Sequence, residues 1–130
     1  MSRYQNNIVL TASPKQVYYV WLTPAYHGAL TEGLASIEPQ VNGHVRLWSG
    51  AVQGVIKELI PNKRIVQTWK TADWEPFEDP SFLILEIKEH TVGCSLSIDH
   101  DNIPERLYEQ FEFAWNSFYF PRLRQFFLQS

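Results

Sequence analysis

The sequence predicts an α+β fold in which a curved antiparallel sheet wraps one long C-terminal helix. Three observations carry that expectation. Short apolar or β-branched runs separated by turn residues fill the stretch from Leu34 to His100. A helical pattern runs from Pro104 to Leu128, roughly 37 Å at the standard rise. The one other expected helix is about two turns long, too short to cover the first, so the long helix has to lie on the sheet.

Each element has a local reason. Ile8-Val9-Leu10-Thr11 is β-branched and reads as a strand. Ser13-Pro14 then starts a helix, with Ser13 as cap and Pro14 at the first helical position. Val17, Val20 and Trp21 give that helix an apolar face, and Thr23-Pro24 ends it. Tyr26-His27-Gly28 is expected to open an irregular connection. Six strands follow, at 34–41, 44–49, 51–60, 63–70, 81–89 and 92–100, making seven with the first. Turns are expected at Asn42-Gly43, Ser49-Gly50, Pro61-Asn62-Lys63 and His90-Thr91. The stretch from Thr71 to Pro80, with Trp74-Glu75-Pro76 and Asp79-Pro80, reads as a long loop. In the final helix Leu107, Phe111, Ala114, Trp115 and Phe118 recur at three- and four-residue spacing, and Pro121 is expected to kink the last turns.

Composition narrows the function classes. A chain of 130 residues suits one domain with one core, large enough to need no disulfide or metal staple. The net charge of -3 argues against a nucleic-acid partner, which needs clustered Lys and Arg. Cys94 is the single cysteine and fits a reducing compartment. The start Met1-Ser2-Arg3-Tyr4-Gln5-Asn6-Asn7 has no apolar signal core, and no apolar run reaches membrane-spanning length. A cytoplasmic protein with no membrane insertion is the expectation. Aromatics make up 15% of the chain, the composition of a large core, a ligand cavity or an interface.

Alternation along strands assigns faces. Cys94, Leu96, Ile98 and His100 point inward, as do Leu83, Leu85 and Ile87. By the same parity Val45, Leu47, Ile56, Glu58, Ile65, Gln67 and Trp69 also point inward. Glu58, Gln67, His100 and Tyr119 are then polar groups aimed at an apolar interior, which need partners, water or a ligand. The opposite parity turns Trp48, Val55, Val66, Phe82 and Ile84 outward, on four strands in sequence. An apolar patch of that kind suits a contact surface, most simply for a homodimer.

Several short signatures resemble one known family. They are Gly43-x-x-x-Leu47-x-x-Gly50-x-x-x-Gly54, then Leu59-x-Pro61-x-Lys63-x-Ile65-x-x-x-Trp69 with Trp74 beyond it. The ending Trp115-x-x-Phe118-Tyr119-Phe120-x-x-Leu123-x-x-Phe126 joins them. Together they resemble the C-terminal domain of the activator of the heat shock protein 90 ATPase and its stand-alone bacterial homologues, in the START-like (SRPBCC) helix-grip superfamily. The resemblance runs from about Ile8 to Phe127. It implies a seven-stranded sheet gripping the last helix, with a stress-response, chaperone-related role and a heat shock protein 90-type chaperone as partner. Asn42-Gly43 stands where the family has Gly-Gly. The separate N-terminal domain through which the eukaryotic co-chaperone chiefly stimulates its client is absent from this sequence, as is a glycine-rich tail.

No catalytic set, metal site or cofactor motif emerges. His27, His44, His90 and His100 lack ligand spacing, and Asp99 and His100 are strand neighbours on opposite faces, so neither orients the other. Glu58 has no second acid or nucleophile beside it. The expected ligand cavity, between sheet and helix, draws on Ile56, Glu58, Gln67, Trp69, Trp74, Leu85, His100, Phe111, Trp115, Phe118 and Tyr119. The same aromatic set equally describes a core filled by its own side chains. Three functions stay open. They are a module binding an apolar or amphipathic small molecule, a protein-interaction module of the co-chaperone kind, and a START-like cyclase or hydrolase.

Overall fold

The computed structural model describes residues 1–128. Strand β1 (Ser2–Leu10) leads into α1 (Pro14–Leu22) and α2 (Pro24–Thr31). Six strands follow: β2 (Ala35–Ile37), β3 (His44–Leu47), β4 (Val52–Ile60), β5 (Arg64–Thr71), β6 (Ser81–Glu89) and β7 (Cys94–Ile103). The seven form one antiparallel sheet in the order β1-β7-β6-β5-β4-β3-β2. All but one sequential pair are neighbours, and β1 returns beside β7. The α+β, helix-gripping architecture expected from the sequence is the one observed. No described helix is long and apolar enough to cross a membrane.

Several boundaries differ from expectation, each for a physical reason. Strand β1 begins at Ser2 because its polar half pairs with β7, from Tyr4 opposite His100 to Leu10 opposite Cys94. Polar residues are tolerated on the solvent side of an edge strand. The stretch after Thr23 is the helix α2, where Pro24 ends one helix and starts the next. Ser13 caps α1 in a reciprocal capping box with Gln16.

The expected inward position of Glu58 is overturned. Ile56 pairs with Gln67 but Glu58 pairs with Val66, so Lys57 is an extra, bulged residue. Alternation changes phase there. Leu59 takes the inner place, and Glu58 turns outward to meet Arg64 at 2.5 Å. Trp48 does not lie on the outer face either. Strand β3 stops at Leu47, and Trp48, Ser49 and Gly50 form a tight turn with φ of 50°, 58° and 98°. That turn swings the indole round to the helix side of the sheet.

The C-terminal helix is one rod of changing pitch. A 3₁₀ turn (Glu105–Leu107) leads into α3 (Tyr108–Phe113), a π-helical segment (Ala114–Tyr119) and α4 (Phe120–Leu128). Its buried positions are Leu107, Phe111, Trp115, Tyr119, Leu123 and Phe127, with Phe120 beside them. That is a strict four-residue spacing. On a continuous α-helix it would drift by about 40° per step and leave the sheet. The π-turn holds more residues and winds the stripe back. The Phe120 N–H donates to Trp115 O, five residues earlier, just ahead of Pro121, which has no N–H to give. Tyr119 is therefore fully buried, whereas Phe118, expected to sit inside, is half-buried.

The inner face of the sheet carries Leu47, Ile56, Ile65, Leu83, Leu85 and Leu96, all fully buried. Gly54 faces Thr68 so closely that a Cβ would lie 1.9 Å from its carbonyl oxygen. The loop after β5 is tied down by Arg106, which bonds both carboxylate oxygens of Glu78 and Asp73 O. Trp74 is thereby buried against Phe111, its ring 5.7 Å away.

Candidate functional site

The interior between sheet and helix is filled by side chains. Trp115 stacks on Tyr119 at 4.8 Å and contacts Trp21 and Trp69 at 6.3 and 6.2 Å. Ile56, Gln67, Leu85, His100 and Trp115 are all buried in this packing. Of the polar groups expected inside, Gln67, His100 and Tyr119 are there and each has partners.

Those partners fix the histidine tautomers. Trp115 Nε1 donates to His100 Nδ1 at 3.1 Å, so Nε2 carries the proton and donates to Ser81 Oγ at 2.8 Å. Ser81 in turn donates to Trp69 O at 2.7 Å. This serine–histidine contact runs opposite to a hydrolytic dyad, because the imidazole gives its proton to the serine rather than accepting one. His27 mirrors it from α2. Its Nδ1–H donates to Trp21 O at 2.8 Å, and its Nε2 accepts from Tyr119 Oη at 3.1 Å. Trp21 Nε1 then donates to Gln67 Oε1 at 3.0 Å. Burial disfavours the imidazolium in both cases, lowering the pKa of His27 to about 4 and of His100 to about 3. The same cause raises the Tyr119 phenol.

His27 was missed in the sequence because it lies where a loop was expected. Its spacing to Thr31 and Trp21 carries no signal until α2 is recognised.

Two buried donors have no partner among the described residues: Gln67 Nε2 and Trp69 Nε1. Leaving such a group unpaired costs about 1–3 kcal/mol. Trp69 also lines an aromatic cleft at the edge of this interior.

The cleft opens between the helix and the ends of β4 and β5, with a volume of about 350 Å³. Its walls are Trp48, Val52, Trp69, Phe111, Phe118 and Tyr119, and exposed Asp73, Gln110 and Phe113 rim it. Of the residues named from the sequence, Trp69, Phe111, Phe118 and Tyr119 line this cleft. Ile56, Gln67, Leu85, His100 and Trp115 lie beneath it, Trp74 supports Phe111, and Glu58 is outside altogether. Trp48 joins the site instead of the outer face, its ring 5.7 Å from Phe118 and 6.1 Å from Tyr119. Three successive left-handed residues hold it there, an arrangement costing about 1–3 kcal/mol for each non-glycine member. The indole fits because Gly33 has no Cβ, which would lie 2.5 Å from Trp48 Cδ1. A larger hollow of about 740 Å³ sits at the other end of β4 and β5, by the turn between them. Lys15, Lys63, Arg64, Glu86, Lys88 and Glu89 line it together with apolar Pro14, Ile60, Pro61 and Ile87.

On the outer face, Val66 and Ile84 are direct cross-strand neighbours, with Phe82 opposite Thr68 and Val55 bonded to the Thr68 hydroxyl. Phe82 is exposed and the other three are half-buried. Ion pairs of Arg3 with Asp99 and of Arg64 with Glu58 and Glu86 border the patch.

The sheet order, the gripped helix and this cleft place the chain beside proteins of known kind. Residues 11–127 match the family described as Activator of Hsp90 ATPase homolog 1-like protein. The chain belongs to that family. Among curated relatives, the human Activator of 90 kDa heat shock protein ATPase homolog 1 is 27% identical over 115 residues, covering 88% of this chain and 34% of that protein. The Dictyostelium discoideum homologue is 27% identical over 118 residues, covering 91% and 31%. The chain therefore spans about a third of the length of these relatives. An HSP90 activator from Plasmodium falciparum superposes with a TM-score of 0.86 at 20% identity, covering 93% of this chain and 92% of that one. The Aha1 dimer from Colwellia psychrerythraea gives a TM-score of 0.80 at 18% identity, covering 98% and 97%. At such identities the structural likenesses establish the fold shared with this family.

Proposed function

We propose that this chain is a non-enzymatic binding module whose cleft beside the C-terminal helix takes a small apolar or amphipathic molecule. The observation that carries the reading is the cleft itself. It is walled almost wholly by aromatic rings, and its volume falls at the small end of ligand sites, about 300–1,000 Å³. The test is an environment-sensitive apolar dye added to the native protein. Saturable binding, displaced by aromatic alcohols and lost in Trp48→Ala, is the expected result. Dye binding that appears only near the unfolding transition would sink the reading.

A second reading, contact with a heat shock protein 90-type chaperone, is favoured by the family and by relatives named as activators of its ATPase. Saturable stimulation of such an ATPase by this chain would favour it over the first. The outer patch of Val55, Val66, Phe82 and Ile84 is the surface we assign to a homodimer. One structural neighbour, of related fold, is a dimer in solution.

A further inference from the structure

The cleft carries a chemical preference that its size and apolarity alone do not give. We infer that its ligand is an amphipathic organic cation, an ammonium group on an apolar body. This deepens the small-molecule reading and rests on it.

Two features of the site converge. Its walls and rim include six aromatic residues, Trp48, Trp69, Phe111, Phe113, Phe118 and Tyr119. Ring faces carry negative quadrupole density and attract cations, most strongly ammonium groups with apolar substituents. The only charged side chain in the lining of the cleft is Asp73. That carboxylate is held in place. Asp73 N–H donates to Thr71 Oγ1 at 3.2 Å, and Thr71 Oγ1 donates back to Asp73 Oδ2 at 3.3 Å. The nearest cation, Arg106, donates to the Asp73 backbone carbonyl, but its charge is already matched by Glu78 at 2.6 and 2.9 Å. Arg106 is thus shared by Glu78, Glu75 and Asp73, so the rim keeps a surplus of negative charge that would oppose an anionic ligand. A fatty acid would be opposed by Asp73. A plain hydrocarbon would meet the rings but leave the carboxylate unanswered. Arg122, over the ring of Phe118 at 4.2 Å, shows the same ring taking a cation on one side already.

The test compares three probes of one shape: 4-phenylbutylammonium, 4-phenylbutanol and 4-phenylbutyrate. Each is titrated into the full chain at low salt and followed by the indole N–H resonance that disappears in Trp69→Phe. The ammonium probe is expected to bind roughly 3- to 30-fold more tightly than the alcohol, with the carboxylate weakest. Asp73→Asn should bring ammonium and alcohol to parity, and added salt should narrow the wild-type difference. If the alcohol or the carboxylate binds as well as the ammonium, the charge preference is overturned and the cleft remains a neutral apolar site. If no probe moves the Trp69 resonance, the preference and the small-molecule reading fall together.

Discussion

Lowering the pH should unfold this protein earlier and more steeply than carboxylate chemistry alone would. His27 and His100 are neutral in the fold, with pKa values depressed to about 4 and about 3 by burial. In the unfolded chain each returns to about 6.5. Above that pH the two states bind the same number of protons at these sites, and stability is unaffected. Below it the unfolded chain takes up two protons that the folded chain refuses, so stability falls by up to about 2.7 kcal/mol per pH unit. Between pH 7.5 and 5 the loss sums to about 4 kcal/mol, a large share of the 5–15 kcal/mol typical of a domain. Glu78 and Asp99 are held low by Arg106 and Arg3, and they begin to matter only as the pH falls into the usual carboxylate range. Urea unfolding followed by tryptophan fluorescence at several pH values measures the slope directly. His100→Phe should lower stability at neutral pH yet roughly halve the slope, because one titrating group is gone. A free energy of unfolding that stays flat from pH 7 to 5 would refute the reasoning, since it would mean that both imidazoles charge freely inside the fold.

Other substitutions test other links. Trp115→Ala removes the ring at the centre of the aromatic stack and should cost about 3–5 kcal/mol in chemical denaturation. A loss below about 1 kcal/mol would show the ring is not packed as described. Gly33→Ala should push the Trp48 indole off Phe118, weakening dye binding at the cleft with little change in far-ultraviolet circular dichroism. Unchanged binding would separate Trp48 from the site. Phe82→Glu combined with Ile84→Lys should leave the fold intact and shift a dimer to monomer in sedimentation velocity. A wild type that stays monomeric at high concentration would remove the outer face from consideration.

What could be read from the sequence follows the strength of local signals. The alternation in β6 and β7 is regular, and every inward residue from Leu83 to Ile87 and from Cys94 to His100 is buried as expected. Parity is a running count, however, and it fails silently after an inserted residue. Lys57 looks like any exposed strand residue, so nothing warned that Glu58 would change sides. Trp48 failed for a related reason. Its neighbours Ser49-Gly50 marked a turn, but the turn starts one residue early, with a tryptophan in a backbone region that bulky side chains avoid. That cost is offset by packing on Phe118 and by the space at Gly33, both long-range facts. The aromatic cluster was visible as composition. Whether it filled or lined a cavity depended on the pitch of the helix, because the π-turn brings Tyr119 into the centre and leaves Phe118 at the edge.

The π-helical segment makes the tolerance of this helix to length changes the reverse of what its appearance suggests. Removing one residue between Ala114 and Tyr119 would allow an unbroken α-helix, a locally better hydrogen-bonded object. Five α-helical residues turn through about 500°, close to the sweep of the six π-helical residues they would replace, so everything downstream would keep its angular setting. Leu123 and Phe127 would stay on the sheet, and the arginine-bearing flank that includes Arg122 and Arg124 would stay off it. The π segment thus takes up one extra residue without changing which face is buried. Winding all six residues as α-helix, with none removed, is the change that would exchange the identity of the buried face for half the rod.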